Sequence, residues 1–129
     1  MPRSIIESYY QAFRLGDAAA ISSALSRLFT EEVTLDTPII REKFGNRFTG
    51  MPAVIGFAVA AAPMLRDASI RAMYEQFGDP SGIAALIELP TPLGVVMQSE
   101  HFVVDLRSKR IASIESNYDP RKLLTLMSS

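Results

Sequence analysis

"VVMQSEHFVVDL", Val95 to Leu106, decides the fold. The stretch is rich in β-branched and aromatic residues and contains no glycine or proline, so it reads as one long strand. Side chains alternate faces along a strand. One face therefore carries Val96, Gln98, Glu100, Phe102 and Val104, and the other carries Met97, Ser99, His101 and Val103. The adjacent Glu100 and His101 look like an acid–base couple, but the alternation sends them to opposite sides of the sheet. The run ends at the connector "RSK", and "RIASIESNY" (110–118) supplies the next strand.

Working backwards, "IAALIEL" (83–89) and "SIRAMYEQF" (69–77) are separated by the turn-forming "GDPSG", and "TPLG" precedes the long strand. Everything after residue 68 thus reads as four successive antiparallel strands. The central ones are apolar at both parities. Their outer face then needs a cover that a single chain cannot offer, which predicts a homodimer through the outer sheet face.

The N-terminal half is helical. Ser4 and Glu7 form a capping box, and Ile6, Tyr9, Tyr10 and Phe13 follow at helical spacing. Gly16 suits a left-handed helix end. Asp17 then caps a second helix through Ile21, Leu25 and Leu28. "EEVTLDTPI" switches to a period of two and predicts a short strand ended by Pro38. The charged "REKFGNR" (41–47) reads as an exposed loop. "FTGMP" opens a third helix with Thr49 as cap, and Pro63 ends or kinks it. The tail "DPRKLLTLMSS" reads as a short helix or a frayed end. Three helices, one early strand and four late strands indicate an α+β class, a curved sheet wrapped over helices.

Composition bounds the chemistry. The 129 residues suit one domain, 1–129. Apolar residues make up 48% and charged residues 21%, a globular profile with a net charge of only −1. No Lys/Arg cluster marks a nucleic-acid partner. The absence of cysteine excludes disulfides and thiolate chemistry, and a single histidine excludes a His-rich zinc site. No signal segment opens the chain. The longest apolar run, 51–65, is shorter than the roughly 20 residues a spanning helix needs. These features predict a cytoplasmic protein that does not insert in a membrane.

In their order and spacing, "YYQAFRLGD", "LFTEEVTLDTP", "FTGMPAVIGF" and "SEHFVVDLRSKRIASIESNYDP" resemble the nuclear transport factor 2-like superfamily. The nearest branches are its ketosteroid-isomerase and polyketide-cyclase (SnoaL-like) types. The resemblance spans nearly the whole chain. It implies a cone-shaped, cystatin-like fold of three N-terminal helices on a strongly curved, mostly antiparallel sheet, with a pocket inside for a small apolar ligand and frequent dimerisation.

Site residues carried over from the resemblance are few. Tyr9 stands where ketosteroid isomerases place a phenol that donates to the substrate oxyanion. Glu100 stands where they hold an acid kept protonated by an apolar site. The base aspartate before the strand-ending proline is replaced by Thr37, and Asp36, one residue earlier, should point away. The limonene-epoxide hydrolase branch would need Gln98, Glu100 and Ser116 to be arginine and two aspartates, so that mechanism is rejected. Cyclase-type chemistry needs one pocket carboxylate, from Glu100, Glu75, Glu88 or Glu115. Phe13, Leu35, Thr37, Met51, Phe77, Gln98 and Phe102 are the expected ligand contacts. No metal and no cofactor is expected. The predicted function is an isomerase- or cyclase-like acid–base enzyme with Glu100 as acid and Tyr9 as helper. The alternative is a non-catalytic ligand-binding or dimerisation module of the same fold.

Overall fold

Residues 2–76 and 78–128 are described by a computed structural model of the chain. Phe77, one of the expected ligand contacts, lies outside the described residues. Helix α1 spans Pro2–Ala12 and passes through a 3-10 turn, Phe13–Leu15, into α2, Ala18–Leu28. Strand β1 (Phe29–Asp36), helix α3 (Pro38–Phe44), strand β2 (Phe48–Thr49) and helix α4 (Met51–Leu65) follow. The second half holds β3 (Ser69–Gln76), β4 (Asp79–Thr91), β5 (Gly94–Asp105), β6 (Arg110–Asn117) and α5 (Arg121–Ser128).

The six strands form one sheet in the order β2-β1-β6-β5-β4-β3, antiparallel except where β1 lies parallel to β6. The fold is α+β, as the strand and helix patterns require. Register shifts interrupt the ladders between Phe29 and Thr34, between Ile70 and Ala72 and between Val103 and Val104. Such bulges sharpen local twist, so the sheet curls around the helices. The concave face and α1, α2 and α4 enclose the core, in which Ile6, Phe13, Leu25, Phe29 and Phe102 are fully buried.

Several element boundaries differ from the sequence expectation. Helix α1 starts at Pro2, so Ser4 lies within its first turns and is not the cap. Half of the expected 41–47 loop is helical, because Thr37 caps α3 by accepting from the Ile40 amide at 3.1 Å, with Pro38 in the first turn. Helix α4 is preceded by Gly50 at φ +95°, a backbone that disfavours Thr49-type capping and favours glycine. Pro63 does not end α4, which runs on to Leu65; it is exposed in the last turn and forfeits a single i→i−4 hydrogen bond there. The structure therefore has five α-helices among the described residues: the three expected, the tail helix the sequence allowed, and α3, which it did not show. The Gly16–Asp17 corner is as read: Gly16 is left-handed at φ +79° and Asp17 accepts from the Ala20 amide at 3.2 Å.

No second layer covers the convex sheet face among the described residues. Tyr74 is 66% exposed and Met97 43%, beside Leu86 and Val95. No helix among the described residues is long and apolar enough to cross a membrane.

Candidate functional site

Burying a polar side chain costs free energy unless it finds partners. Among the described residues only four polar or charged side chains are buried: Thr37, Gln98, Glu100 and Ser116. All four line one cavity of about 200 Å³ inside the cone. Strand β5 brings Gln98 and Glu100 inward because they share parity with Val96, Phe102 and Val104. Strand β6 brings Ser116 directly opposite Glu100. Thr37 arrives at the β1–α3 junction. The rest of the wall is mainly apolar, from α4 (Phe57, Ala58, Met64) and α5 (Leu123, Met127), with Leu35, Tyr9 and Tyr118.

Glu100 is only 6% exposed. The Ser116 hydroxyl donates to its Oε2. Burial drives its pKa from 4.5 to about 7, and the hydrogen-bonding influence of Ser116 and, at poorer geometry, of Tyr10 only partly opposes this. No Lys, Arg or His among the described residues lines the cavity, so none of them supplies a countercharge to hold the carboxylate ionised. Tyr9 and Tyr10 have raised pKa values, first from burial and then from the Glu100 charge. Tyr118 is raised by burial too, with Thr37 and the Ile39 backbone pulling the other way. At neutral pH all three phenols keep their protons, and Glu100 exchanges its own near neutrality.

Aromatic packing fixes the phenols. The Tyr9 ring meets Tyr10 at 4.9 Å, Phe13 at 5.0 Å and Phe102 at 5.6 Å, all edge to face. Tyr9 borders the cavity, whereas Tyr10 is buried behind Glu100 and is absent from the wall.

Of the residues predicted from sequence, Glu100, Tyr9, Leu35, Thr37 and Gln98 come together at this cavity. Phe13 and Phe102 do not reach it: both are fully buried in the core, where they clamp the two tyrosines. Met51 lines a separate surface depression between α2 and α4, with Ala18, Ser22 and Ile55, and not the Glu100 cavity. Asp36 turns outward and pairs with Arg41 at 2.8 Å. Glu88 stands 3.8 Å from Arg71, Glu115 is exposed opposite His101, and Glu75 is exposed on β3; none lines the cavity. His101 meets Gln76 at 3.0 Å on the convex face.

Sequence reasoning missed the donor role of Ser116, the phenol of Tyr118 and the contribution of α5. The strand pairing that joins Ser116 to Glu100 has no local signature. Among the described residues, no group of three or more His, Cys, Asp or Glu is placed to hold a metal ion.

No protein-family model matches the chain, and no curated protein does. Solved structures do match in fold. A nuclear transport factor 2-like protein of unknown function from Cytophaga hutchinsonii superposes with a TM-score of 0.69 at 15% identity, over 96% of this chain and 95% of that one. A proposed SnoaL-like polyketide cyclase from Shewanella denitrificans gives 0.65 at 12% identity, over 99% and 98%. A proposed isomerase of the SnoaL-like family from Agrobacterium tumefaciens gives 0.66 at 14%, over 90% and 95%. At these identities the likeness is one of fold.

Proposed function

We propose that this chain, which has the nuclear transport factor 2-like fold, binds a small neutral molecule in the cone interior and acts on it by acid–base chemistry centred on Glu100. One observation carries the proposal: the four buried polar side chains converge on a single apolar cavity instead of being scattered or absent. The cavity suits a ligand of about one ring with a short substituent, since about 150 Å³ already accommodates benzene. It disfavours anions, because an anion would meet Glu100 with no basic side chain to offset it. In its protonated form Glu100 donates to a carbonyl oxygen as negative charge builds there, and Tyr9 is the second donor. A proton leaving the neighbouring carbon would go to water, because no second carboxylate among the described residues lines the cavity.

A specific observation favours the second reading, a non-catalytic binding module. The position of the isomerase base is Thr37, which is spent on capping α3, and Asp36 is tied to Arg41 outside. Cyclohexanone in deuterated buffer separates the two. The enzyme reading expects binding by calorimetry and faster exchange of the hydrogens beside the carbonyl, lost in Glu100→Gln, with cyclohexanecarboxylate bound far more weakly. Binding without exchange supports the module. Absence of binding by the wild type overturns both.

The convex face is proposed as a contact with a second copy, since Tyr74, Leu86, Val95 and Met97 leave it apolar and exposed.

A further inference from the structure

Tyr10 presents an unusual feature behind the cavity. Its hydroxyl is the one buried side-chain nitrogen or oxygen atom among the described residues that lacks a hydrogen-bond partner. A buried donor left unpaired is costly, and in native proteins it calls for an explanation. The hydroxyl lies within hydrogen-bonding reach of Glu100, whose charge and proximity both raise the Tyr10 pKa, yet the pair falls short of the angle and distance of a well-formed hydrogen bond. Phe13, Phe102 and Tyr9 surround its ring, so it cannot swing out to water.

The groups facing Glu100 are few. Helix α1 presents Tyr9 and Tyr10, β6 presents Ser116, and the chain beyond β6 presents Tyr118. None is basic. Ser116 already donates to Oε2. Tyr9 senses the Glu100 charge without hydrogen-bonding it. Tyr10 is thus the donor held in reserve.

We propose that Tyr10 is a positioning residue for Glu100: its phenol O–H closes onto the carboxylate when Glu100 gives up its proton, and opens when the proton returns. The proton itself passes between Glu100 and the cavity; Tyr10 keeps its own throughout. Glu100 then has two supported states, a neutral acid held by Ser116 and a carboxylate held by Ser116 and Tyr10 together. Tyr9, although it lines the cavity, does not set this equilibrium. The proposal depends on the geometry around Glu100 and not on the ligand, so it stands or falls separately from the proposed function.

The test is a pH titration of the Glu100 side-chain carboxyl carbon by NMR in glutamate-labelled protein, with Glu100→Gln to assign the resonance. Tyr10→Phe keeps the ring and removes the donor. Its apparent Glu100 pKa should rise by about one unit, as expected for a lost hydrogen bond to a charged acceptor. Tyr9→Phe should leave it within about 0.3 unit. Replacing Tyr10 with 3-fluorotyrosine, a more acidic phenol and stronger donor, should lower it. A purely packing role for Tyr10 predicts no such opposite shifts. An unchanged value in Tyr10→Phe, or an equal rise in Tyr9→Phe, overturns the proposal. Should Tyr10→Phe fail to fold, the fluorotyrosine protein decides alone: a fall supports the proposal and no change overturns it.

Discussion

Replacing Glu100 by glutamine keeps the size of the side chain and an acceptor for Ser116, but removes the titration. In the folded chain Glu100 titrates near 7, against 4.5 for the unperturbed group, because burial disfavours its charged form. The sign follows from proton linkage. Between these two values the folded state holds a proton that the unfolded chain has released, so stability falls as pH rises. The contribution is fully present below about 4.5, declines through the interval and levels off above about 7. The interval corresponds to about 3 kcal/mol at ~1.4 kcal/mol per pH unit. Other groups titrate in the acid range, notably Asp79, Asp105 and Asp119, whose pKa values are lowered by local hydrogen bonds. Their effect cancels in the difference between wild type and variant. Urea unfolding of both proteins at several pH values from 4 to 8.5 should therefore give a difference that changes by about 3 kcal/mol in favour of Glu100→Gln as pH rises. A difference that stays flat across this range would refute the claim that Glu100 is buried without a countercharge.

Ser116→Ala removes the donor to Glu100 Oε2 and should raise the Glu100 pKa further, by about one unit in the same NMR titration. Phe102→Ala deletes a fully buried ring that packs on both Tyr9 and Tyr10; the expected loss is about 3–5 kcal/mol, read from the urea midpoint. Asp36→Asn breaks a partly exposed pair with Arg41 and should cost less than about 1 kcal/mol while leaving ligand binding unchanged by calorimetry. Met97→Lys with Leu86→Lys places two charges on the exposed convex face. Sedimentation should show the mass falling from dimer to monomer, and a monomeric wild type would remove the dimer from consideration.

How much of this was legible in the chain depends on the range of the interaction concerned. Strand alternation is local, so the inward set of Val96, Gln98, Glu100 and Phe102, and the outward His101, follow from spacing alone. The Gly16–Asp17 corner is equally local, since a left-handed glycine and an aspartate cap need only their own neighbours. The α+β class follows from the change of period along the chain. Helix α3 was hidden because its charged composition matches a loop, and only the Thr37 cap and the burial of Ile39 and Ile40 give it a place.

The site needed the tertiary structure. Ser116 meets Glu100 through a strand register between residues 16 apart, and no local pattern encodes that register. Phe13 and Phe102 share faces with the cavity residues, yet the packing of α1 seals them behind the tyrosines. Adjacent helical residues point about 100° apart, so Tyr9 and Tyr10 cannot play one role, but which of them borders the cavity is set by how α1 docks on the sheet. Alternation along β5 is enough to turn Glu100 inward among apolar residues. Only the packing of α1, β5 and β6 decided what surrounds it, because burial and hydrogen bonding are properties of neighbours in space, not of neighbours along the chain.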